Sequence, residues 1–177
     1  VDALVARMLK RGKPLDVLIN NAGALFNPRG ETREGLEQSF ALLLLSPYRL
    51  TEGLKPLLAK APSPRVINVV SGGMYSQKLD VDALQMPDTR EYSGSVAYAR
   101  QKRALMVLTQ EWAANWEEAG ITVNAMHPGW ADTPGVRDAL DFIAELKADR
   151  AKAAAALGKR VLVIGGGNTA MDAARVA

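Results

Sequence analysis

Three short apolar runs constrain this chain more than any other feature. Asp16-Val17-Leu18-Ile19-Asn20, Val66-Ile67-Asn68-Val69-Val70 and Ile121-Thr122-Val123-Asn124-Ala125-Met126 read as buried strands. Each runs into a turn of small or polar residues: Asn20-Asn21-Ala22-Gly23, Ser71-Gly72-Gly73 and His127-Pro128-Gly129. Helical stretches separate them, and this alternation predicts an α/β fold around a parallel sheet with right-handed crossovers. In such a sheet ligands bind outside the carboxyl ends of the strands, so the three turns converge on one edge.

That edge carries a proton-transfer set. Tyr98 and Lys102 lie four residues apart in Tyr98-Ala99-Arg100-Gln101-Lys102, a spacing that puts both on one helix face. The Lys102 ammonium can stabilise a Tyr98 phenolate and lower the phenol's pKa. Ser71, at a strand end, can hold a substrate oxygen beside it. A positioned acid of this kind is what carbonyl reduction or alcohol oxidation requires.

The markers Asn20-Asn21-Ala22-Gly23, Ser71, Tyr98–Lys102 and Pro128-Gly129 occur in the order of the short-chain dehydrogenase/reductases, which the run from about 13 to 136 resembles. Ser71-Gly72-Gly73-Met74 and the segment from Met126 to Gly135 resemble the member-12-like branch, near the retinol-dehydrogenase type. The long gap between Ser71 and Tyr98 suits that branch. The resemblance implies Tyr98 as general acid/base, with Lys102 lowering its pKa and bonding the nicotinamide ribose, and Ser71 orienting the substrate oxygen. It places Asn20, Ala22 and Gly23 on the cofactor side. Pro128 and Gly129 would let the backbone approach the nicotinamide, and Thr133 would bond its carboxamide or the phosphates. NAD or NADP is the implied cofactor, and a small alcohol or carbonyl the implied substrate.

Two departures stand out. Leu43 takes the place of an asparagine that, in the family, holds a proton-relaying water, so turnover is expected to be impaired. The family's opening strand and Gly-rich turn are also missing ahead of Lys13. A similar element stands at the other end. Residues 159–164 read as a strand, and Gly165-Gly166-Gly167-Asn168-Thr169-Ala170 follows as a Gly-x-Gly-x-x-Ala fingerprint, its amides suited to a pyrophosphate. Residues 158–175 resemble the nucleotide-binding turn of flavin-dependent pyridine nucleotide oxidoreductases, and Gly165, Gly167 and Ala170 are cofactor candidates.

The expected organisation is a partial dehydrogenase domain over 1–136, a helical connector over 137–157, and a strand–turn–helix over 158–177 that could pack on the same sheet. The whole would be an incomplete Rossmann-like three-layer fold with a mostly parallel sheet of about four strands. Val1 in place of a starting methionine suggests a fragment or processed product. A non-catalytic scaffold of dehydrogenase ancestry is the alternative reading, and a fused flavoprotein fragment a third.

Composition excludes several other classes. A net charge of +3, from 22 basic and 19 acidic residues, is scattered and gives no nucleic-acid footprint. With no cysteine and one histidine, neither a disulfide framework nor a thiolate or histidine-cluster metal site is expected. The longest apolar run, 40–45, is too short to span a bilayer. A cytoplasmic protein is expected, with the long helices as candidate homo-oligomer contacts.

Locally, the pattern predicts a helix over 2–10, a long helix over 33–60 kinked near Pro47, and a helix capped by Ser95 that ends near Glu118.

Overall fold

Parallel strands need crossovers, and the helices here supply them. The computed structural model describes residues 1–86 and 92–129. Helix α1 spans Asp2–Arg11 and strand β1 Val17–Asn20. Helix α2, Gln38–Phe40, continues through a π-helical segment, Ala41–Leu45, into α3, Ser46–Leu58. Strand β2 spans Arg65–Val69, followed by a 3-10 turn over Gly72–Ser76. Helix α4, Gly94–Asn115, leads to strand β3, Thr122–Met126.

The strands form a parallel sheet in the order β1-β2-β3. Register puts Leu18 beside Val66 and Val66 beside Val123, with Asn20, Asn68 and Ala125 two residues further on. This face carries the buried positions, and period-two alternation sends Val17, Ile19, Asn124 and Met126 to the other, where all four are exposed. Leu44, Leu58, Val66, Leu105, Trp112, Trp116, Ile121 and Val123 form the core. The sheet has three strands among the described residues. The expected fourth strand at 160–164, the connector at 137–157 and the turn after residue 164 lie outside them.

The helix bounds differ from expectation for identifiable reasons. The helix predicted from Arg33 starts instead at Gln38. Glu37 stops it, because its carboxylate accepts the N–H groups of Ser39 at 2.8 Å and Phe40 at 2.7 Å. Residues 31–37 turn back on themselves ahead of it, and Glu31 pairs with Glu37. The expected kink at Pro47 is absorbed one turn earlier. Proline has no N–H to donate. The Ser46 N–H and hydroxyl both reach back to the Ala41 carbonyl, the hydroxyl at 2.7 Å, and the turn widens into the π segment. The cap of α4 is Ser93 rather than Ser95. Its Oγ accepts the Val96 N–H at 3.4 Å, and Ser95 lies inside the first turn. The helix ends at Asn115, and Gly120 (φ 66°) completes the reversal into β3.

Candidate active site

Ser71 leaves β2 in extended backbone and caps the 3-10 turn, its Oγ accepting the Gly73 N–H at 3.3 Å. Opposite it, α4 begins at Gly94 behind the Ser93 cap, and a side chain at Gly94 would collide with the Phe26 carbonyl. From that start, Tyr98 and Lys102 fall on the face turned toward the sheet.

Lys102 is 3% exposed. Its Nζ donates to the Val69 carbonyl at 2.6 Å and stands 5.7 Å from the centre of the Tyr98 ring. Burial lowers the ammonium's pKa to about 8. The Tyr98 phenol moves upward, driven by burial, while the Ser71 hydroxyl acts in the opposite direction. The direction is opposite to the depression expected from Lys102: burial outweighs the Ser71 hydroxyl.

Gly23 closes the other side. A Cβ at Gly23 would stand 3.8 Å from Lys102 Nζ and 3.4 Å from Leu43 Cδ2. Leu43 is fully buried, within the π segment, and borders the same glycine as the lysine does. Leu43 and the ammonium thus both approach Gly23.

Asn20 faces inward. Its Nδ2 donates to Thr51 Oγ1 at 3.0 Å and to Asn68 Oδ1 at 2.7 Å. Asn68 Nδ2 continues to Thr109 Oγ1 at 2.9 Å, which donates to the Leu105 carbonyl at 2.7 Å. The Asn20 side chain is thus engaged within the sheet, while Asn21, Ala22 and Gly23 lie exposed beyond the strand end. Sequence reasoning did not assign Asn68, Thr51 or Thr109. The available signal was an asparagine in the middle of the apolar run Val66–Val70.

Past β3, His127, Pro128 and Gly129 are exposed, with Gly129 at φ 77°. Ser71, Tyr98, Lys102 and Gly23 are brought together, and the Pro128–Gly129 turn follows the neighbouring strand. Thr133, Gly165, Gly167 and Ala170 lie outside the described residues. Among the described residues no group of three acidic or histidine side chains could hold a metal ion. No helix there is long and apolar enough to cross a membrane.

A family model described as Enoyl-(Acyl carrier protein) reductase matches residues 1–164. Dehydrogenase/reductase SDR family member 12 of Homo sapiens is 50% identical over 131 residues, covering 74% of this chain and 40% of that protein. The chain belongs to the short-chain dehydrogenase/reductase family. Retinol dehydrogenase 13 of Homo sapiens, also similar, is 37% identical over 129 residues, or 72% of this chain and 38% of that one. The chain thus spans about two fifths of the length of these relatives. A crystal structure of an uncharacterized protein from Mycobacterium Paratuberculosis superposes with a TM-score of 0.64 at 25% identity, covering 97% of this chain and 66% of that one. The partial Rossmann-like α/β fold is that of the family.

Proposed function

We propose that this chain supplies the proton-transfer half of an NAD(P)-dependent oxidoreductase that interconverts an alcohol and a carbonyl. The observation that carries this reading is the buried Lys102 ammonium, 5.7 Å from the ring of a Tyr98 whose phenol feels the Ser71 hydroxyl. In the reducing direction Ser71 Oγ–H donates to the substrate oxygen and orients it. Tyr98 gives its phenolic proton to that oxygen. Lys102 stabilises the phenolate that results, and in oxidation the proton returns to Tyr98.

The residues around Gly23 fit a nicotinamide ribose. A Cβ at Gly23 would stand 3.8 Å from the Lys102 ammonium, and among the described residues that ammonium, with three N–H bonds, donates to the Val69 carbonyl. Ala22, Gly23, Lys102, Pro128 and Gly129 would hold the nicotinamide end, with Thr133 beside it. Asn20 would support it from within the sheet. Gly165, Gly167 and Ala170 are proposed for the pyrophosphate. When bound, the dinucleotide supplies or accepts the hydride.

Titration of the chain with NADH and NADPH, followed by nucleotide fluorescence, tests the reading. Saturable binding of either supports it, and no saturable signal with both defeats it for this chain. In an active preparation Tyr98→Phe should cut turnover by about 10²- to 10⁴-fold without abolishing binding.

Leu43 favours a second reading, a non-catalytic scaffold of dehydrogenase ancestry. A leucine cannot hold a relaying water beside Lys102. Saturable dinucleotide binding without turnover on any alcohol or carbonyl would select it.

A further inference from the structure

The proposed proton-transfer set leaves the chain's one histidine unused. His127 directly follows β3, beside the last backbone bond between β2 and β3, in which the Val70 N–H donates to the Met126 carbonyl at 2.9 Å. Its ring is engaged on two sides. Nδ1 accepts the N–H of Gly129 at 2.9 Å, the same closure two residues onward that Asn and Asp side chains make in turns. An accepting Nδ1 carries no proton, so the neutral ring holds its proton on Nε2. That second nitrogen approaches Gly72 so closely that a Cβ there would stand 3.1 Å from it. Gly72 opens the 3-10 turn that Ser71 caps.

We infer that His127 is a positioning residue whose imidazole joins the Pro128–Gly129 turn to the Ser71–Gly73 turn. Beyond the Val70–Met126 bond the two turns leave their strands, and the ring spans the gap between them. One side fixes the fold of the turn after β3. The other rests on the backbone next to the hydroxyl that orients the substrate oxygen. A Cβ on Gly72 would press on the ring at 3.1 Å and oblige it to shift by a few tenths of an ångström. The consequence for cofactor and substrate rests on the proposed function, but the coupling of the two turns does not.

Nuclear magnetic resonance of the 177-residue chain separates these claims. Imidazole nitrogen spectra of the wild type should show the proton on Nε2. His127→Asn should keep the Gly129 amide near its wild-type position, because the shorter side chain closes the same turn, while the Ser71 and Gly73 amides move. His127→Phe keeps a ring but loses the acceptor and should displace the Gly129 amide. Gly72→Ala should shift the His127 ring signals. NADPH affinity should fall about three- to tenfold in His127→Phe, the loss of one net hydrogen bond, and recover largely in His127→Asn. A proton found on Nδ1, or Ser71 and Gly73 amides unmoved in both His127 variants, would overturn the inference. Absence of dinucleotide binding by the wild type would defeat the proposed function instead, leaving the tautomer and amide results to decide the role of His127.

Discussion

At Lys102 an ammonium sits among buried groups with the Val69 carbonyl at 2.6 Å, and its pKa falls to about 8. The unfolded chain, with an ordinary lysine, binds that proton more tightly than the folded one does. Stability should therefore rise with pH between about 8 and about 10.4, by on the order of 3 kcal/mol. Above about 10 the raised Tyr98 phenol works the other way, since the folded state then holds the extra proton. Urea unfolding across pH 7 to 11 checks this, and Lys102→Met should flatten the rise. Leu43 allows a complementary experiment. Leu43→Asn buries an amide in place of a fully buried leucine and should cost about 2–4 kcal/mol in chemical denaturation. If the missing relay limits turnover, the same variant should turn over faster in a steady-state assay. The spacing of Tyr98 and Lys102 was legible in sequence because helix periodicity is local. The upward direction of the Tyr98 pKa was not, because it depends on how much of the chain folds over the phenol.

Element boundaries turned on single side chains. Glu37 is fully buried and accepts from two backbone amides at the start of α2 and from the Tyr92 hydroxyl at 2.9 Å. Glu37→Ala would leave the two amides without partners, while the Tyr92 hydroxyl keeps the Phe26 carbonyl, and should lower stability by about 2–4 kcal/mol, read from denaturant midpoints. Tyr92→Phe, removing one of the three, should cost about 1 kcal/mol. Helical periodicity alone carried the prediction back to Arg33, since a glutamate is an ordinary helix residue until a tertiary partner makes it a cap. Similarly, Ser93 and Ser95 are equally plausible caps in sequence. The collision of any side chain at Gly94 with the Phe26 carbonyl, a contact across more than sixty residues, accompanies the choice. The π segment was invisible to pattern reading, although Ser46 and Pro47, which occasion it, are both in plain view.

At the scale of the molecule, the strand alternation was legible enough to predict both the parallel sheet and the edge where the candidate site lies. It did not say how the sheet's two faces would be covered. Parallel sheets are ordinarily buried on both sides. Among the described residues one face carries Val17 and Ile19, 45% and 56% exposed, and Met126, 43% exposed. Such a surface invites association. Ile19→Lys should change the denaturation midpoint little, and light scattering of both forms over a concentration series checks whether this face associates.

The Asn20–Asn68 contact bears on how the chain finds this sheet. Parallel strands lack a hairpin to set their alignment, and Leu18, Val66 and Val123 would tolerate sliding. The two asparagines are direct partners in the register, and their amides meet at 2.7 Å in the interior. Sliding β1 by two residues preserves the apolar face yet takes Asn20 away from Asn68 Oδ1, at a cost of about 1–3 kcal/mol for a buried group left unmade, while Asn68 keeps Thr109. The pair therefore penalises alignments that hydrophobicity alone would accept.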